Sequence, residues 1–371
     1  MRTIATARPV LPLFLGLVVA SGCSARVDRI TVNRVVQRAL QLPDVDQACE
    51  IGASLNSPLA ALTSEKRPAH QALVIAEFTA ALCDESAAQE HELTAAQALS
   101  PALGLPGSQR AVIARDARLA ADRSHMRAAA RYRRALAHGE AAFGALGADA
   151  CPRFRPHEEL PFMLTLVAGM QVVLHDSAAG SPLGVPKETI LDVARSAQCL
   201  DNETWWYGPA AMQAAAWATI PGSAPEGTDP WAMLSEVADK SDATGIRVAR
   251  ALQVVISVNA GRDDLAEQAI RDHAAARAAT PSSSEFALFD QYALNLSRHQ
   301  SDLFWMKEEG HRTPVFGELP ADAAPETAPD AGGPDPFAED PFGADPFGAS
   351  GPEGAGESLS PTSDDAAPET P

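Results

Sequence analysis

The stretch KETILDVARSAQCLDNETWWYGPAAMQAAAWATI, Lys187–Ile220, decides the fold. Its two parts, Lys187 to Leu200 and Thr204 to Ile220, each carry apolar residues at helical spacing, and only a short polar turn separates them. Helices joined by so short a link lie antiparallel. The pattern recurs at Asp229 to Asp239 with Thr244 to Asn259, and at Arg262 to Ala279 with Ser284 to Met306. A unit of about 34 to 45 residues predicts an all-α fold of stacked helical hairpins, a tetratricopeptide-like α-solenoid, although no faithful copy of the repeat motif is present. Composition agrees. Alanine and leucine dominate, aromatics are 5%, and β-branched runs are scarce, a mixture that favours helix.

Upstream, the same reading gives a helix over Val27 to Leu40, stopped by Pro43, and a second from about Val45 to Thr63. A third, Ala69 to Cys83, is apolar on nearly all sides and belongs in a core. Asp84 to Gly107 reads as a further helix ending in a proline loop. A long helix follows from about Gln109 to Leu146, with Val112, Leu119, Met126, Ala130 and Leu136 on its expected apolar side. Its opposite face carries Arg115, Arg118, Arg123, Arg127, Arg131, Arg133 and Arg134, either a solvated face with acidic neighbours or a docking surface for an acidic partner such as the chain's own tail. Glu158 to His175 reads as a buried helix.

The first residues set the compartment. Arg2 and Arg8, an apolar run from Val10 to Val19, and Ala20-Ser21-Gly22-Cys23 form a signal peptide (residues 1–22) rather than a membrane span, since the run is about half the roughly twenty residues a span needs. The last four of these residues resemble the lipobox of bacterial lipoproteins, which implies acylation of Cys23; a plain secretory signal is the alternative. Ser24 and Ala25 follow where an aspartate would signal inner-membrane retention, so the expectation is a chain lipid-anchored at the periplasmic face of the outer membrane. In an oxidising compartment the other four cysteines are candidates for disulfides. Cys49 near the start of one predicted helix and Cys83 near the end of the next should pair, as should Cys151 before a later helix and Cys199 closing the one after; four buried free thiols are the alternative. No Cys or Cys/His spacing suggests zinc.

The folded domain is expected over residues 23–312. From residue 313 to 371 Pro, Ala, Gly, Asp, Glu and Ser make up nearly everything, and such a tail buries too little apolar surface to offset its chain entropy. Within it Asp-Pro-Phe recurs at Phe337, Phe342 and Phe347, as weak multivalent contacts or as a drifted spacer. Thirteen acidic residues and no Lys or Arg lie from Glu318 to the end, so of the formal charge of −19 only −6 belongs to the rest. No basic face for nucleic acid is in prospect.

Enzyme signatures are lacking. His91-Glu92 would need a histidine four residues after His91 for a zinc protease motif, and Ala95 stands there, so the pair reads as surface polarity. No GxSxG, GxxxxGK[ST] or GxGxxG motif occurs, and no cofactor is implied. Trp205, Trp206, Tyr207 and Trp217 cluster at the opening of a predicted helix, where helical spacing leaves at least one partly exposed; they read either as inter-repeat packing or as a pocket or protein interface.

Four stretches together are similar to the T component associated with tripartite ATP-independent periplasmic (TRAP) transporters, the TatT family of helical lipoproteins. These are Gly22-Cys23-Ser24 running into Ile30 to Asn33 and Ala39-Leu40, and Asp44 to Asp46 through Leu62, Pro68, Ala69-His70 and Leu73 to Phe78. The third is Arg115 to Leu119 with Arg127, Ala130 to Tyr132 and Ala135-Leu136. The fourth is Lys187 to Asp201, Tyr207-Gly208, Pro221, Asp229-Pro230 and Val248 to Asp263. The chain departs from the family around Phe162 to His175, where an expected tryptophan and tyrosine cluster is missing, and in its tail. The resemblance implies a non-enzymatic periplasmic lipoprotein that binds the transporter's solute-binding protein, assembles as a homotrimer and takes a hydrophobic or organic-acid ligand. A structural scaffold for an envelope assembly, with no small ligand, is the alternative.

Overall fold

A computed structural model describes residues 25–63, 68–100, 104–155 and 157–322. The signal peptide, Cys23 and the Asp-Pro-Phe phenylalanines lie outside the described residues. Among those described there are eleven helices and no strand. They are α1 (residues 25–40, π-helical at Thr31–Val36), α2 (Val45–Leu62), α3 (His70–Leu99), α4 (Gly107–Phe143), α5 (Glu159–Ala178) and α6 (Thr189–Ala197). The last five are α7 (Gly208–Thr219), α8 (Pro230–Asp242), α9 (Val248–Asn259), α10 (Asp263–Ala279) and α11 (Ala287–Glu308).

Local signals start α2 and α8 where the sequence places them, whereas α7, α9 and α11 begin three or four residues later than expected, at Gly208, Val248 and Ala287. Asp44 caps α2 by accepting from the Gln47 amide at 2.8 Å, and Asp229 caps α8 with Pro230 in its first turn. The three C-terminal hairpins are present, and from α2 onward each helix packs on its sequence neighbour. The stack does not stay open, because α11 returns to pack on α3 as well as on α9 and α10. One hydrophobic core consequently runs from Val32 in α1 through Phe78, Leu166 and Val193 to Tyr292 in α11. Within it lies α5, which is apolar and long enough to span a membrane; 78% of its most apolar window is buried inside the fold, and it is the core helix.

Three expectations need correction. Ala69 to Cys83 and the segment after it form one helix, α3, so Cys83 sits mid-helix rather than near an end. The Cys49–Cys83 bond still forms, with Cα atoms 5.3 Å apart, because α2 packs along α3 rather than only at its tip. Cys151, in the loop before α5, is bonded to Cys199, just past α6, with Cα atoms 5.4 Å apart.

The second correction concerns α4. Its buried face is Ala114, Ala117, Ala121, Ala128, Ala129, Tyr132, Ala135 and Gly139, while Val112, Leu119 and Met126 are 69%, 46% and 41% exposed. Alanines on both α3 and α4 bring the two long helices close, and larger side chains do not fit between them. Gly139 marks the crossing with α5, where a Cβ would come within 2.1 Å of the Thr165 side chain. Arg127 and Arg131 both pair with Asp84 at 2.8 Å, and Arg134 with Glu77 at 2.9 Å. Arg115, Arg118, Arg123 and Arg133 are exposed, with no ion pair among the described residues.

Third, the folded chain continues past residue 312. Trp305 Nε1 donates to the Glu318 carbonyl at 2.9 Å, Leu319 is 1% exposed against α9 and α10, and Arg271 pairs with Asp322 at 3.0 Å. Apolar Phe316 and Leu319, embedded in tail-like composition, close the end of the stack.

Candidate ligand cavity

Four helices turn polar residues inward at one level of the core. On α3, Glu85, Gln89 and Glu92 recur at helical spacing; α4 adds His125 and, seven residues on, Tyr132; α5 adds Gln171 and His175; α11 adds Tyr292, His299 and Gln300. All but Tyr132, which reaches Glu85 from outside it, and with the addition of Asn259 at the end of α9, they form the polar part of a cavity of about 180 Å³. The remaining wall is apolar: Val167, Met170 and Leu174 of α5, Met212 of α7, Val248, Leu252 and Val255 of α9, and Leu296 of α11. The cavity exists because α11 closes onto α3, facing α5 and α9 across a gap their side chains do not fill.

Its polar groups form one chain of contacts. Glu85, buried at the core end, accepts from Tyr132 Oη at 2.5 Å and from Tyr292 Oη at 3.0 Å, and Gln171 donates to Tyr292 Oη at 2.5 Å. His175 stacks on the Tyr132 ring and places Nε2 3.5 Å from Glu85. Across the ring, His175 Nδ1 lies 2.8 Å from His125 Nδ1, and His125 Nε2 lies 2.9 Å from Glu92 Oε1. His299 Nε2 reaches the other Glu92 oxygen at 2.8 Å. Both carboxylates are therefore bridged, Glu85 by phenols and Glu92 by imidazoles. Nε2 of His175 and Nδ1 of His299 have no hydrogen-bond partner.

Burial alone would push both carboxyls up, but the hydrogen bonds and neighbouring imidazoles around them win. His175, Tyr132 and Tyr292 hold Glu85 below the usual carboxylate range. His125 and His299 draw Glu92 down to about 2. Burial first, and then the Glu85 charge, pushes the phenols of Tyr132 and Tyr292 well above their ordinary value, so both remain donors. At neutral pH the cavity thus holds two ionised carboxylates, and no Lys or Arg is among its described lining residues. No described group of three or more His, Cys, Asp or Glu is placed to hold a metal ion. On the far side of Tyr292 lies a smaller apolar crevice, about 30 Å³, lined by Val35, Ile51, Leu55, Phe78 and Leu288.

The residues singled out from sequence lie elsewhere. Trp205 and Trp206 are buried against Phe286 and Phe289, in a turn rather than in a helix, with Trp206 and Tyr207 at positive φ. Trp205 Nε1 donates to Glu159 at 2.9 Å. Tyr207, half-buried, belongs to a separate α7–α8 cluster with Lys240 over its ring, and Trp217 lines a surface depression with Leu191 and Arg195. These four do not share a pocket. Glu92, read as surface polarity, instead bridges two histidines. The available signal was polar Gln171 and His175 inside the otherwise apolar α5; unpaired polar groups are costly in a core and call for a partner.

The fold and cavity define a class, a closed all-helical stack around one apolar-walled chamber with an acidic, histidine-bridged end. No family model, curated protein or solved structure matches the chain.

Proposed function

We propose that this chain is a non-enzymatic binding protein that holds a small, largely apolar molecule in the central cavity, serving as the accessory component of a TRAP-type uptake system and docking on its solute-binding protein. The observation that carries the reading is the cavity itself. Its wall combines apolar side chains from α5, α7, α9 and α11 with a small number of polar groups, the usual build of a small-molecule site. The carboxylates are engaged by neighbouring donors, and the described lining includes no Ser, Thr or Cys nucleophile, which suits holding a ligand rather than transforming it. The periplasmic setting, the lipid anchor, the trimer and the transporter partner rest on the family resemblance.

The exposed stripe of Val112, Leu119 and Met126 on α4 favours a second reading, a scaffold that presents this face to envelope proteins. One experiment separates them: affinity recovery of the full chain from gently solubilised envelopes, beside a version truncated after Asp322, with proteins and small molecules identified by mass spectrometry. Recovery of a periplasmic solute-binding protein by both versions, and of an apolar small molecule that Val255→Trp excludes, is the expected result. Recovery of cell-wall or outer-membrane proteins alone, with no small molecule, would favour the scaffold.

A further inference from the structure

We infer that two copies of this chain associate through the outward face of α4, with the two helices antiparallel about a two-fold axis at Leu119. The inference goes beyond the ligand-binding reading and does not rest on it. Val112, Leu119 and Met126, the exposed row on α4, stand seven residues apart, so about 10 Å separates neighbours along the helix. Within the chain α4 packs chiefly on α3 and α5, which leaves this row for a partner. The charges beside it identify that partner. Arg115 and Asp116 stand four and three residues before Leu119, and Asp122 and Arg123 stand three and four after it. The face therefore reads the same in both directions from Leu119. All four are exposed and have no ion pair among the described residues. With the three apolar side chains they share an arc of about 120° around the helix.

A palindromic face is self-complementary under a two-fold axis, where residue i of one copy meets residue j of the other and j meets i. In an antiparallel pair centred on Leu119, Val112 of one copy lies opposite Met126 of the other, and Leu119 meets its counterpart. On one flank Asp116 falls beside Arg123 of the second copy, and on the other Arg115 falls beside Asp122, so every charge gains an opposite neighbour. A parallel pair in register would set each charge against its own kind. The four charges sum to zero, so the face does not suit a uniformly acidic or basic partner. Arg118 is turned about 100° from Leu119 and lies outside the arc. Being two-fold, this contact is distinct from the three-fold one that the family resemblance implies; alone it gives a dimer, and with that contact an assembly of six. It joins protomers that are already folded, so below its dissociation constant substitutions on this face leave protomer stability unchanged.

Analytical ultracentrifugation of the purified full chain, in a concentration series reaching the high micromolar range, should show reversible pairing, to a dimer or to an assembly of six. Asp116→Arg with Asp122→Arg makes the charges on this face all positive, and Arg115→Asp with Arg123→Asp makes them all negative. Each double variant alone should associate more weakly by about tenfold or more, and an equimolar mixture of the two should restore pairing, a result that poor folding cannot mimic. Single cysteines report the orientation. Under mild oxidation Leu119→Cys should link to itself, and Val112→Cys should link to Met126→Cys in a mixture but not to itself, because its own counterpart lies about 21 Å away along the helix, far beyond disulfide reach. Sedimentation as a monomer or a trimer throughout, double variants that associate like the parent chain, or Val112→Cys linking to itself as readily as to Met126→Cys would each overturn the inference, and ligand binding in the cavity stands apart from all three.

Discussion

Tyr292 in the last helix donates a hydrogen bond of 3.0 Å to Glu85 in α3, across 207 residues of sequence. This contact fastens the returning end of the stack to its early part, in the partition between the acidic cavity and the apolar crevice. Tyr292→Phe should cost about 1 to 2 kcal/mol, because Gln171 loses its partner and Glu85 one of its donors. Urea denaturation checks this. Glu85→Ala should cost more, since it leaves two buried phenols without their shared acceptor; a loss no larger than that of Tyr292→Phe would show that Glu85 does not organise the cluster.

The buried face of α4 makes a second prediction. Ala121→Leu should destabilise by about 1 to 3 kcal/mol through overpacking against α3, whereas Leu119→Lys should stay within about 0.5 kcal/mol, as surface changes do. The reverse ranking in thermal denaturation would restore the apolar side expected from hydropathy alone.

Acid should weaken the fold in two steps. Burial drops His273 to about 3, so its folded value lies below its unfolded value of 6.5, and the unfolded chain binds more protons between them. The stability held by neutral His273 is therefore present above pH 6.5 and lost as pH falls toward 3, by about 3 kcal/mol at pH 4. Glu92, depressed to about 2 from 4.5, adds a loss from pH 4.5 downward. Asp28, raised by burial to about 6, runs the other way and gains stability as pH falls from 6 to 3.8. His273→Asn should flatten the upper step in urea titrations at pH 7.5, 5.5 and 4.

Reduction should be costly. The Cys49–Cys83 and Cys151–Cys199 bonds span sequence separations of 34 and 48. Loop-closure entropy assigns each about 4 kcal/mol, within the 2 to 5 measured for native disulfides. Peptide mapping of the non-reduced protein should show these two linkages, and each Cys→Ala pair should lower the urea midpoint.

Much of this architecture was legible in the sequence, for a local reason. The spacing of apolar side chains three and four apart, the capping aspartates and the short polar turns are properties of neighbouring residues, and they specified an all-helical chain, its three C-terminal hairpins and cysteine pairs that do bond. Two things were out of reach of that logic. Hydropathy selects the most apolar face of an isolated helix, yet α4 buries alanines and exposes Val112 and Leu119, because two long helices at close approach admit small side chains only. The candidate site was likewise invisible: Glu85, Glu92, His125, His175, Tyr292 and His299 sit on four helices spread along the chain, each residue unremarkable alone. Glu85, Glu92, His125 and His175 meet through the packing of α3, α4 and α5, and Tyr292 and His299 join them only because α11 folds back onto α3; that closure is set by the packing of whole faces, not by any stretch read in order.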